Sequence, residues 1–279
     1  MSDLDDIARL TIQWARLLAN SPCNRAFASP EWYRASCLYH PELRPFLLAA
    51  FRKEELAAIL PLAIDQDHLA RFPHYISDYN DIIARHDDTA LVAGLMVHAV
   101  SSGICRRIVL SRLREDSNCL RALRLLGAFQ QVRFDCREID PHLTITLPAS
   151  FDDYLVSRTK AFRTNLKQAL RRMERDELTV CELQPGDFDP DELPELLISM
   201  ARARQKEGSL FYRPEAIQFV RQVLPPVFGK RGLIASRLAQ TDRSVGLYIH
   251  MLGHNSLGAW NGGFLPEVER WSPGGLLLA

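Results

Sequence analysis

Three strand-like runs, Leu233–Ala239, Val245–Leu252 and Ser256–Phe264, follow one another with only the polar turns QTDRS and GHN between them. Connections this short join antiparallel neighbours, so the spacing predicts a β-meander. Leu178–Leu183 reads as an earlier strand. Leu193, Leu196, Leu197 and Met200 then repeat at helical spacing up to Gly208, a residue suited to stopping a helix. Pro214 suits the first position of the next helix, and Pro225-Pro226 is expected to end it. Upstream, Phe151, Leu155, Phe162, Leu166, Leu170 and Met173 keep one apolar face of a single long helix whose opposite face is strongly basic.

The part before this helix reads as a first, mixed α/β half, residues 1–148, followed by a second half, 149–279. Leu4, Ile7, Leu10, Trp14 and Leu17 recur at helical spacing behind the capping pair Ser2-Asp3. Pro45–Phe51 and Leu56–Leu62 flank the charged turn RKEE and predict a hairpin. A helix near Thr89–Val100, a strand at Arg107–Ser111, a helix after Asp116-Ser117 and two strands ending near Pro148 complete that half.

Charge and motif content exclude several classes of function. Lys+Arg and Asp+Glu both number 34, so nothing drives the whole chain onto DNA or an acidic membrane. The first residues are acidic where a signal peptide is basic, and no apolar run is long enough to span a bilayer, which reads as cytoplasmic. The six cysteines have neither zinc nor C-x-x-C spacing and are expected to be reduced, mostly buried thiols with no disulfide and no metal. P-loop, G-x-G-x-x-G, H-E-x-x-H and G-x-S-x-G motifs are all missing.

After the meander, Trp271-Ser272-Pro273-Gly274-Gly275 leads into LLLA. A Ser cap, a Pro at the first helical position and two glycines make a helix start whose free N–H groups suit phosphate; an ordinary capped helix would have the same residues. Strand, helix, helix, three strands and a glycine-bearing helix start is the first part of the GNAT acetyltransferase order. Further segments carry a resemblance over nearly the whole chain: FASPEWY (Phe27–Tyr33), YISDYNDIIA (Tyr75–Ala84), LSRLREDS (Leu110–Ser117), SFDDYLVSRTKAFRTNLKQALRRM (Ser150–Met173), GSLFYRPE (Gly208–Glu215) and GAWNGGF…WSPGGLLL (Gly258–Leu278). Together they resemble the CelD/BcsL-like acetyltransferases of the GNAT superfamily, which often accompany bacterial cellulose or exopolysaccharide biosynthesis.

The resemblance implies an α/β (α+β) fold of two GNAT-like halves with mixed, largely antiparallel sheets flanked by helices, related in architecture to FemAB-type aminoacyltransferases. It implies acetyl-CoA or another acyl-CoA as co-substrate, bound in the second half, and an amine or hydroxyl acceptor such as a sugar or glycan precursor. Association with polysaccharide-synthesis machinery is part of the same expectation. Trp260, Asn261 and Gly262 then fall where the thioester should lie, and Ser272, Gly274, Gly275 and Leu276 where the pyrophosphate should. The turn is S-P-G-G rather than the Q/R-x-x-G-x-G/A of ordinary GNAT enzymes. A chain stopping at Ala279, one turn into the phosphate-loop helix, reads as a truncated second half.

Acyl transfer to an amine needs a proton acceptor, for which Tyr248, His250 and His254 are candidates; the period of two puts Tyr248 and His250 on one strand face. Asp78, Asp81 and Arg204 are candidate acceptor contacts, although polar residues in a turn need no such role. Arg158, Lys160, Arg163, Lys167, Arg171, Arg172 and Arg175 form a basic stripe that reads as a solvated face or as a site for an anionic partner. Two further readings stand beside acyl-CoA chemistry: FemAB-like aminoacyl transfer, and a non-catalytic GNAT scaffold that binds a polysaccharide-synthesis partner.

Overall fold

A computed structural model describes residues 1–128, 134–139, 143–204, 210–271 and 273–274. The chain opens with α1 (Leu4–Ala8), α2 (Thr11–Ala19) and α3 (Pro30–Tyr39), then β1 (Arg44–Arg52), β2 (Glu55–Ile64), β3 (Leu69–Arg71) and β4 (Ile83–Ala84). Next come α4 (Thr89–Ser101), β5 (Arg107–Val109) and α5 (Asn118–Ala128). The second half holds α6 (Phe151–Ser157), α7 (Lys160–Arg175), β6 (Leu178–Leu183), α8 (Leu193–Arg204), α9 (Pro214–Gly229), β7 (Leu233–Gln240), β8 (Arg243–Leu252) and β9 (Leu257–Phe264).

The hairpin around RKEE forms as the sequence predicts, with Arg52 opposite Glu55 and Lys53 in the left-handed region at the turn. Its sheet runs β1-β2-β3-β5, with β4 also on β2; β3 and β5 are parallel and the other pairs antiparallel. β2 is buried on both faces. Leu60, Leu62 and Ile64 meet α4 and α5, while Ile59 meets Ile7, Trp14 and Tyr33 from the N-terminal helices. The second sheet is the predicted antiparallel meander, in the order β6-β7-β8-β9.

One helix joins the two sheets. α3 starts at a Ser29 cap that accepts from the Trp32 N–H, with Pro30 in the first turn. Tyr33 and Cys37 on this helix enter the first-half core. Its other face sends Trp32 and Ala35 into the largest cluster, made mostly of Leu197, Phe211, Phe219, Val223, Leu247 and neighbouring second-half residues. Met173, Leu178, Leu238, Val245, Phe264 and Trp271 fill the opposite face of the second sheet.

Four expectations are corrected. The opening helix is interrupted at Arg9-Leu10, where their N–H groups reach Asp6 O and Ile7 O; these tighter i→i−3 closures end α1 before α2 restarts. The long basic helix is divided, because Arg158 is extended and Thr159 caps a fresh helix by accepting from Phe162 N–H. Pro225-Pro226 do not end α9, which continues to Gly229. Val227 and Phe228 beyond them are buried in the main core, and that burial outweighs the two missing N–H donors. The two strands before Pro148 are not seen among the described residues of 134–148: the alternation of Leu143, Ile145 and Leu147 lies exposed, with no strand partner. Gly208 lies outside the described residues.

The thiols of Cys23, Cys37, Cys105 and Cys119 are free and buried; that of Cys136 is exposed. Among the described residues no helix is long and apolar enough to cross a membrane, and no group of His, Cys, Asp and Glu is placed to hold a metal ion.

Candidate active site

The centre of the second sheet is shaped by glycine. Among the described residues β9 is an edge strand, and α8 lies against it so closely that a Cβ on Gly263 would stand 2.1 Å from Met200 O. A Cβ on Gly262 would stand 2.4 Å from Leu247 O. The pairing with β8 slips between Ile249 and His250, so that Ile249 faces Asn261, His250 faces Ala259, and Trp260 bulges from the ladder.

The bulge directs Trp260 toward the first half. Its indole N–H donates to Ile76 O at 3.1 Å, and its ring packs edge-on against Trp32 at 5.8 Å. The residue expected beside a thioester is thus the bolt between the two halves. Asn261 turns its Oδ1 onto the N–H of Gly262 at 2.9 Å. Leu265 N–H donates to Val245 O, and ladder alternation puts the Gly262 N–H on the outer edge of β9. An edge donor suited to a carbonyl oxygen is therefore held by the neighbouring carboxamide.

Tyr248 and His250 share one face of β8, as their spacing predicts, with ring centroids 5.1 Å apart. His250 is enclosed, at 6% exposure, and Tyr248 is half-buried against the cluster of Met173, Phe264 and Trp271. His254 lies in the β8–β9 turn, its Nδ1 3.4 Å from the Arg25 guanidinium. Past β9 the chain makes a short 3-10 helix, Pro266–Trp271, and Trp271 Nε1 donates to Asp176 Oδ2 at 2.6 Å, tying the turn to the end of α7. The Arg175 guanidinium, then the Trp271 indole, holds the Asp176 carboxyl down to about 2. Pro273 and Gly274 are helical. Gly274 faces open space and its φ is not positive. Ser272, Gly275 and Leu276 lie outside the described residues.

The acceptor candidates separate. Asp81 is corrected to a structural role: its Oδ1 accepts from the N–H groups of Ile82 and Cys119, its Oδ2 from that of Asn118, and it is fully enclosed at the start of α5. Burial pushes its pKa up despite those bonds. An enclosed carboxylate with both oxygens engaged offers nothing to an acceptor. Asp78 is half-exposed near the joint, 3.8 Å from Arg112. Arg204 is the last residue of α8, far in sequence and element from Asp78, and its side chain lies outside the description.

The sequence reading missed the aromatic wall of this joint. Tyr39 stacks on Tyr75 at 5.3 Å, and both meet Phe219 of α9. The separation of Trp32 and Tyr39 by seven residues on one helix was the available signal.

Four antiparallel strands with two helices between the first and second of them make a GNAT-like half. Residues 160–279 match the acetyltransferase (GNAT) domain family. The matched region begins at α7 and includes Tyr248, His250, His254 and Asn261. No curated protein matches the chain. Among solved structures, FemX is similar over 95% of this chain and 81% of its own, with TM-score 0.63 and 11% identity. L-PGS from Bacillus licheniformis is similar over 96% and 71%, with TM-score 0.51 and 14% identity. The C-terminal domain of a protein assigned as a lysylphosphatidylglycerol synthetase from Agrobacterium fabrum matches over 98% and 75%, with TM-score 0.51 and 12% identity. These likenesses establish the two-sheet fold. The narrower CelD/BcsL-like resemblance rests on the sequence segments alone.

Proposed function

We propose that this chain is an acyl-CoA-dependent N- or O-acyltransferase. The observation that carries the reading is the match of residues 160–279 to the GNAT domain on a sheet ordered β6-β7-β8-β9, with β9 at its edge among the described residues. A thioester carbonyl would lie along β9, where the Gly262 N–H is the donor for the developing oxyanion once Asn261 releases it. His250, beside Tyr248, is the group to take the acceptor's proton, directly or through a water. The turn from Trp271 to Leu276 would receive the pyrophosphate, a role that Gly274 fits because nothing crowds its Cα. An acceptor from cellulose or exopolysaccharide synthesis, a cytoplasmic setting and the division at residue 148 belong to this proposal through the sequence resemblance.

The test is acyl-CoA binding by calorimetry. Gly274→Val is expected to weaken binding at least tenfold with an unchanged melting temperature, since its backbone needs no positive φ; Gly275→Val is its companion. His250→Gln should lower turnover about a hundredfold while leaving acyl-CoA affinity unchanged. A folded parent that binds no acyl-CoA overturns the reading and leaves a GNAT scaffold. Aminoacyl transfer is the second reading, favoured by the FemX-like arrangement across 95% of the chain. Aminoacyl-tRNA binding with a steep salt dependence, without acyl-CoA binding, would select it.

A further inference from the structure

We propose that α6 and α7 form a docking surface for an anionic lipid bilayer. The two helices are locked into one unit by Arg163, whose Nη1 donates to the carbonyls of Arg158 and Val156 at 2.7 and 3.2 Å and so caps the end of α6. On this unit Phe151 stacks on Tyr154 at 6.1 Å, and Tyr154 meets Phe162 edge-on at 6.2 Å. Of the apolar side chains of α7, Met173 is buried and Leu166 and Ala169 pack beside it. Other apolar side chains of the unit stand in solvent: on α6 Val156 is 75% exposed and Phe151 46%, and on α7 Leu170 is 41% and Phe162 39% exposed.

The charges along α7 are mostly basic, and the acids of α6, Asp152 and Asp153, lie together in its first turn. Between Lys160 and Arg175, Glu174 is the single acid against six basic residues. Arg175 pairs with Asp176; Lys160, Lys167, Arg171 and Arg172 make no ion pair among the described residues. On a helix, Arg163, Lys167 and Arg171 form the row next to Phe162, Leu166 and Leu170. Long basic side chains can rise to headgroups while their neighbours enter the acyl boundary, the arrangement of a helix lying in a membrane interface. A nucleic acid would use the same charges and could stack on Phe162, but it has no use for exposed Val156 and Leu170. The aliphatic members therefore favour a bilayer.

The full chain is tested by flotation with vesicles of phosphatidylcholine alone and of phosphatidylcholine with phosphatidylserine. Binding is expected only to the anionic vesicles and should fall with salt. Lys160→Gln, Lys167→Gln and Arg171→Gln together should weaken it about a hundredfold. Val156→Ser with Phe162→Ser should weaken it about tenfold, with the melting temperature of the parent. As a readout independent of that stability, Phe162→Trp should gain fluorescence quenched by brominated lipid. The proposal is overturned if the folded parent ignores anionic vesicles, if the Phe162→Trp signal is not quenched, or if the serine variant binds like the parent while tRNA displaces the vesicles. None of these outcomes depends on acyl-CoA.

Discussion

Trp260 of β9 donates its indole N–H to the carbonyl of Ile76, a bond across 184 residues that closes the joint between the two sheets. The same ring rests on Trp32, so a polar and an apolar contact converge on one side chain. Trp260→Phe keeps the packing and is expected to cost about 1 kcal/mol, whereas Trp260→Ala should cost roughly 3 kcal/mol. Urea unfolding of the two variants checks the difference; equal midpoints would remove the hydrogen bond from the account.

Gly263 is where helix and strand backbones touch. Gly263→Ala places a methyl against Met200 O and Ala201 N, neither of which is a flexible side-chain end. We expect a loss of more than about 2 kcal/mol, measured by thermal unfolding, while Gly274→Ala should be nearly neutral.

Asp81 holds three backbone N–H groups, two of them at the start of α5. Asp81→Ala leaves those donors buried without an acceptor and is expected to cost about 2–4 kcal/mol. Asp81→Asn, which keeps one carbonyl oxygen, should recover part of that loss. If acyl transfer falls in Asp81→Asn with stability intact, the residue has a role beyond the cap.

His74 sets a pH dependence. Burial, and then the positive charges of Arg112, His40 and Arg71, push its pKa down to about 4. The unfolded chain, with His74 near 6.5, binds the proton first. Stability is therefore lost as pH falls from about 6.5 toward 4, by about 1–2 kcal/mol after allowing for solvent screening of a partly exposed ring. His74→Gln should flatten that part of the stability profile in denaturant titrations between pH 7 and pH 4; a slope unchanged from the parent would assign the loss to other groups.

The β-meander, the RKEE hairpin and the start of α9 at Pro214 were legible because they rest on short-range rules. Alternation of apolar residues, turn chemistry and the fixed φ of proline act over a few positions and need no distant partner. The division of α6 from α7 was in principle as local, since Thr159 is an N-cap by type, but the continuous apolar face masked it. The sheet face shared by Tyr248 and His250 was readable from the period of two for the same reason.

Other features were set by contacts between segments far apart in the chain. Pro225-Pro226 look like a stop until Val227 and Phe228 are seen in the core, where burial holds the next turn helical. Leu143, Ile145 and Leu147 alternate like a strand, yet alternation supplies no edge to pair with. Asp81 carries the same charge in the sequence whether it faces an acceptor or α5; only the approach of Asn118 and Cys119 made it a cap. For Trp260, a one-residue slip in the β8–β9 register decided the outcome. The bulge turned the ring onto Ile76 and Trp32, because a side chain's direction on a strand depends on how that strand pairs.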